Sequence, residues 1–105
     1  MDLNEYQKET RKTREYPAIM GLMYTALGLT GEAGEYANKV KKTIRDVQNP
    51  PTRGELAGEL GDVLWYVASA ADEIGFNLED IASFNLDKLR ERQSKGTIKG
   101  SGDNR

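Results

Sequence analysis

The chain has 105 residues, 37% hydrophobic and 30% charged, with 15 basic against 17 acidic side chains and a net charge of −2. That balance fits one small domain and gives no global basic field for recruiting nucleic acid, so no nucleic-acid partner is expected. Cysteine and histidine are both absent, which excludes disulfides, zinc–thiolate sites, cysteine nucleophiles, Ser-His-Asp triads and histidine-ligated metals.

Any catalysis must therefore rest on carboxylates, Lys, Arg, Tyr and a bound metal. The opening residues Met1 to Glu5 carry no apolar signal region. No apolar run approaches the ~18–20 residues of a membrane span. The expected compartment is the cytoplasm, with no membrane partner. The apolar content is lean for a self-sufficient core of this size, so association with further copies of the chain is expected.

The pattern predicts four helices and no strand. The first runs from about Asp2 to Tyr16, with Asp2 as N-cap, Glu5 at capping-box spacing and Pro17 as the break. The second runs from about Ile19 to Val47 and stops at Asn49-Pro50-Pro51. Gly28, Gly31 and Gly34 fall within it. Each costs ~1 kcal/mol relative to Ala in a helix interior, so a kink, close packing or a bound ligand is expected there. The third runs from about Arg53 to Ile74, opened by Thr52 and Glu55 and closed by Gly75. Its apolar stripe includes Leu56, Leu60, Val63, Leu64 and Val67. The fourth runs from about Leu78 to Gln93, with Asn77 as cap and Glu79 and Asp80 at the positive end of its dipole. Residues 1–94 form the helical domain. Residues 95–105 form a Gly-rich, flexible tail free to order over the site.

Two acidic pairs stand out, Glu32 with Glu35 and Glu59 with Asp62. An i, i+3 pair projects from one helix face with Cβ atoms roughly 5–6 Å apart. A single such pair is more often a solvated face. Here both lie in the most apolar helices, with glycine between or beside the acids. Inward-facing carboxylates without a partner cost many kcal/mol, and like charges raise one another's pKa. A divalent cation is the usual remedy, and an all-oxygen ligand set favours Mg²⁺, Mn²⁺ or Ca²⁺ over Zn²⁺.

Lys39, Lys42, Lys88 and Arg92 are candidates for neutralising a polyphosphate, although cations near the end of a helix also complement its dipole. Asn85 shares a polar face with Lys88 and Arg92. Gln7 and Tyr66 are candidate base contacts, whereas Trp65 reads as core. The tail has the composition of an anion-wrapping loop, with Asp103 and Arg105 as its candidate contacts. No Gly-x-Gly-x-x-Gly follows a strand and no Walker-type Gly-Lys-Ser/Thr occurs, which excludes Rossmann and P-loop domains.

These residues resemble the MazG-like nucleotide pyrophosphohydrolases of the all-α NTP pyrophosphatase superfamily. The family pattern, Glu-Glu-x-x-Glu, a spacer, then Glu-x-x-Asp, is matched by Gly31-Glu32-Ala33-Gly34-Glu35 and Glu59-Leu60-Gly61-Asp62. The likeness extends from Tyr6-Gln7 to Gly102-Asp103-Asn104-Arg105, and small phage and bacterial members look most alike. Gly31 stands where the longer pattern has its first Glu, so the identity of any general base stays open. The resemblance implies an all-α four-helix bundle assembled as a homodimer or homotetramer. It implies Mg²⁺, with Mn²⁺ as substitute, on Glu32, Glu35, Glu59 and Asp62. It implies metal-activated water attacking the α-phosphate of a (d)NTP, giving (d)NMP and pyrophosphate for nucleotide-pool control, in the host cytoplasm for a phage-encoded chain. The competing reading is a non-catalytic helical adaptor or oligomerisation module, with the acids exposed and paired at interfaces.

Overall fold

The computed structural model describes residues 1–105 as four α-helices with two short 3₁₀ turns and no strand. Helix α1 spans Leu3–Thr10, α2 Gly21–Arg45, α3 Arg53–Glu73 and α4 Leu78–Lys95. No helix is long and apolar enough to cross a membrane.

Asp2 caps α1 by accepting from the Glu5 amide at 2.8 Å. The helix then ends at Thr10, well before the expected Tyr16. Thr10 and Thr13 donate their hydroxyls to the carbonyls three residues back, bonds that offer the backbone an alternative to the α pattern. A 3₁₀ turn at Arg11–Thr13 follows, and Arg14 is extended. Helix α2, by contrast, runs unbroken through Gly28, Gly31 and Gly34. Its expected start at Ile19 is a 3₁₀ turn, Ala18–Met20. The Thr52/Glu55 capping box opens α3. Gly75, at φ 80°, closes it, with the Phe76 amide returning to the Ala71 carbonyl at 2.9 Å.

Helix α4 is not capped by the Asn77 side chain. Helix α1 supplies that function. Gln7 Oε1 accepts from the Leu78 amide at 2.8 Å and Asn4 Oδ1 from the Glu79 amide at 3.1 Å. Gln7 Nε2 donates to Asp72 Oδ1 at 2.9 Å and to the Phe76 and Ala68 carbonyls at 3.1 and 3.4 Å. Asp72 also receives the Arg11 guanidinium on both oxygens, at 2.8 and 2.9 Å, and pairs with Arg14. These arginines hold the Asp72 carboxyl below the usual carboxylate range. The junction of α1, α3 and α4 is thus a satisfied polar knot, in which Gln7, Thr10 and Ser69 are buried.

The four helices do not close into an up-and-down bundle within one chain. Helix α2 pairs along α3, while α4 packs on α1 and α3. Only Ala68, Ala71 and Leu78 are buried apolar residues. The radius of gyration is 16.6 Å, against about 13 Å for a compact domain of this length. Leu22, Met23, Leu27, Leu60 and Leu64 are among the large apolar side chains left exposed.

Candidate metal centre on the α2–α3 hairpin

The register of the antiparallel α2–α3 pair is set where two glycines admit side chains from α3. A Cβ on Gly21 would collide with the Glu73 carboxylate, and one on Gly28 with the Tyr66 ring. In both pairs the residue numbers add to 94. The same relation links Glu32 to Asp62 and Lys39 to Glu55, and both are neighbours in the structure.

The register brings Glu32, Glu59 and Asp62 together, with carboxylate oxygens all within 4.8 Å of one another. Glu32 and Glu59 are half-buried and Asp62 is exposed. Burial, then the charges of Asp62, Glu59 and Glu35, raise the Glu32 carboxyl above its ordinary pKa. Glu35 is exposed and lies outside the close group. An octahedral divalent ion holds oxygens at about 2.0–2.1 Å, so opposite ligands sit about 4 Å apart. Side-chain movements of under about 1 Å would bring the three acids onto such an ion. The donors are all hard oxygens, and their mutual repulsion is what a cation would relieve. The cluster fits a divalent metal.

Lys39 lies at the edge of this group, its Nζ 3.5 Å from Glu59 Oε1 and 3.7 Å from Glu55 Oε2. Beyond it, Lys39, Lys42, Arg45 and Asn49 line a polar cleft of about 270 Å³ at the hairpin turn. At the other end, Tyr66 lies edge-on to Trp65 at 4.9 Å and 6.4 Å from Tyr24, which stacks on Tyr16 at 5.0 Å. Tyr16 donates its hydroxyl to Glu73 at 2.8 Å. Burial and that carboxylate push its pKa up to about 12. Burial, Tyr24 and the nearby carboxylates raise that of Tyr66.

The remaining sequence candidates lie elsewhere. Asn85 and Lys88 line an open cavity of about 290 Å³ with Ile81 and Phe84. The tail folds back on the C-terminal half of α4. Asp103 Oδ1 is 3.2 Å from both Lys88 Nζ and Arg92 Nη2, and Arg92 also donates to the Gly102 and Asp103 carbonyls. Arg92 is 6% exposed, and its Nε is buried without a partner. Arg105 binds the carbonyls of Thr97, Ile98 and Gly102. Gln7, a candidate base contact in the sequence, is 1% exposed with both ends of its amide engaged. It is a structural residue here.

Tyr16, Tyr24 and Glu55, which the structure also places along the hairpin, do not stand out in the sequence as neighbours of the acids. The available signal was Gly21 and Gly28, two turns apart on one helix face, which marked where α3 approaches. Trp65, expected in the core, is half-buried, with Nε1 donating to Thr13 Oγ1 at 2.8 Å.

Comparison with known proteins returned a family model described as MazG nucleotide pyrophosphohydrolase domain, matching residues 22–97. That span contains the acidic cluster and nearly all of the hairpin. A curated relative, the Gene 37 protein of Mycobacterium phage L5, is 46% identical over an alignment covering 100% of both chains. No solved structure matches.

Proposed function

The chain belongs to the MazG nucleotide pyrophosphohydrolase family, and on that premise we propose that it hydrolyses a nucleoside triphosphate to the monophosphate and pyrophosphate. The observation that carries this reading is the convergence of Glu32, Glu59 and Asp62 within 4.8 Å beside a lysine-lined cleft. The three acids would hold Mg²⁺, or Mn²⁺ in its place, with Glu35 reaching the same region from one turn along α2. When bound, the ion supplies charge neutralisation on the phosphates and lowers the pKa of a coordinated water.

Lys39 and Lys42 then bind the β- and γ-phosphates. Ammonium groups held there favour the pyrophosphate leaving group as its charge grows. Lys39 pairs with Glu55 and Glu59, so phosphate binding exchanges one set of anionic partners for another. Lys88 and Arg92 act as further phosphate contacts only once Asp103 yields them, and Asn85, in the open cavity beside Lys88, as a phosphate or sugar contact; alternatively, all three are presented by another copy of the chain. The exposed apolar side chains of α2 and α3, with so few buried ones, support a homodimer or homotetramer as the working form.

The test is product analysis. The protein is incubated with each common dNTP and NTP, in Mg²⁺ and in EDTA, and the products are separated. Monophosphate plus pyrophosphate, abolished by EDTA, is the expected result. Diphosphate plus inorganic phosphate would mean that another bond is cleaved, and the site as described would be wrong.

A further inference from the structure

The hairpin face has three chemically distinct zones in a fixed order. The aromatic zone holds Tyr24 and Tyr66, the acidic zone Glu32, Glu59 and Asp62, and the basic zone Lys39 and Lys42. Along α2, the step from Gly28 to Glu32 is about 6 Å and that from Glu32 to Lys39 about 10 Å, at 1.5 Å per residue. A nucleoside triphosphate has the matching order of base, α-phosphate and pyrophosphate.

We propose that Tyr66, seated on Gly28 and flanked by Tyr24, is the platform for the nucleotide base, and that the substrate lies along the hairpin in one direction, with its pyrophosphate toward Lys39 and Lys42. This rests on the pyrophosphohydrolase reading above and adds its polarity and its base-recognising residues.

Three observations converge on the platform. First, Tyr66 is fixed. Its ring fills the space over Gly28, where any side chain would collide with it. Gly31 and Gly34, on the same helix, have no neighbour within 4 Å of an added Cβ. Among the three α2 glycines around the acids the packing requirement therefore falls on Gly28, one turn before Glu32. Second, the platform is accessible. Tyr24 is 44% exposed and Tyr66 is half-buried. Third, it is braced by the same close approach that sets the register of the two helices. Gly21 admits Glu73, Glu73 anchors the Tyr16 hydroxyl, and Tyr16 stacks on Tyr24. Two glycines thus bring α2 close enough to α3 to hold three tyrosines together at one end of the hairpin, with Tyr66 one turn beyond Asp62. Aromatic faces stack on any base, so the platform is a general nucleotide grip, and Gly28 acts as its positioning residue.

The experiment separates the two ends of the hairpin. Nucleotide KM and inhibition by inorganic pyrophosphate are measured for wild type, Tyr66→Leu, Tyr24→Leu, Gly28→Ala and Lys39→Ala. Tyr66→Leu and Gly28→Ala should raise the nucleotide KM roughly ten- to hundredfold, the range that base–aromatic stacking supplies. Their pyrophosphate inhibition constants should stay at the wild-type value. Lys39→Ala should instead weaken pyrophosphate inhibition. Should Tyr66→Leu or Gly28→Ala fail to fold, the exposed Tyr24→Leu decides, with a several-fold rise in nucleotide KM expected. Unchanged nucleotide KM in the folded tyrosine variants would overturn the proposal, as would a loss of pyrophosphate inhibition equal to the loss of nucleotide affinity. Failure of wild type to release pyrophosphate from any nucleotide would refute the underlying activity instead, so the two failures are distinct.

Discussion

Replacing Asp62 by Asn should stabilise the metal-free protein and abolish its response to Mg²⁺. Oxygens of Glu32, Glu59 and Asp62 lie within 4.8 Å of one another. At that separation a pair of unit charges repels by about 0.9 kcal/mol in water and by about 3.5 kcal/mol at an effective dielectric of 20. Asp62 is exposed and its two neighbours are only half-buried, so the lower figure governs, further reduced by salt. Removing one charge removes two of the three repulsions, which together amount to about 1–2 kcal/mol. For a domain of this size that raises the melting midpoint by at least several degrees. In Mg²⁺ the order should reverse. At a concentration a hundredfold above Kd, a ligand bound only by the native state contributes about 2.7 kcal/mol, and wild type alone would gain it. The assay is thermal unfolding of both proteins at one protein concentration, in EDTA and in Mg²⁺. Equal Mg²⁺ stabilisation of both proteins would refute the reasoning, as would an Asp62→Asn variant less stable than wild type in EDTA.

Further expectations follow from the same geometry. The raised Glu32 pKa means that the folded, metal-free chain holds that proton more tightly than the unfolded chain. Its contribution is fully present below the unfolded value and is lost as pH rises through the raised folded value. Unfolding in EDTA across that window should show this slope, and Glu32→Gln should flatten it. Asp72 has the opposite sign, since its lowered pKa gives stability that disappears as pH falls through the folded value. Asp72→Asn should cost about 2–3 kcal/mol by urea titration, chiefly because Arg14, 14% exposed, loses its charged partner, whereas half-exposed Arg11 adds little. Gln7→Leu should destabilise by about 2–4 kcal/mol, because the Leu78 amide and the Phe76 carbonyl lose their partner. Its effect on the ranking of nucleotides by kcat/KM should be nil. Asp103→Asn should loosen the tail from Lys88 and Arg92 and speed proteolysis after Gly96, read by mass spectrometry of the fragments.

Local signals in the sequence locate the helix ends that local chemistry decides. The Thr52/Glu55 box and the Gly75 turn place α3 within a residue of its observed limits. The end of α1 is not purely local, because beside the back-bonding of Thr10 and Thr13 the extended Arg14 is held by Asp72 from α3. Nor is the cap of α4, which comes from Gln7 and Asn4 more than seventy residues away. The acidic pairs are legible from spacing, but spacing states only which residues share a face. Which residues oppose one another depends on register, and that is fixed by Gly21 against Glu73 and Gly28 against Tyr66. Register sets Glu32 opposite Asp62 and leaves Glu35 outside the close group. The helical glycines that look like a stability liability in the sequence include Gly28, which lets the two helices come together.

The most direct test of the central claim is the destination of solvent oxygen. The nucleotide is hydrolysed with Mg²⁺ in H₂¹⁸O, and both products are weighed by mass spectrometry. The proposed placement of the acids at the α-phosphate and of the lysines at the leaving group predicts that the label appears in the nucleoside monophosphate. Label in the pyrophosphate would mean that water attacks the β-phosphorus, and would contradict the arrangement of the site along the hairpin.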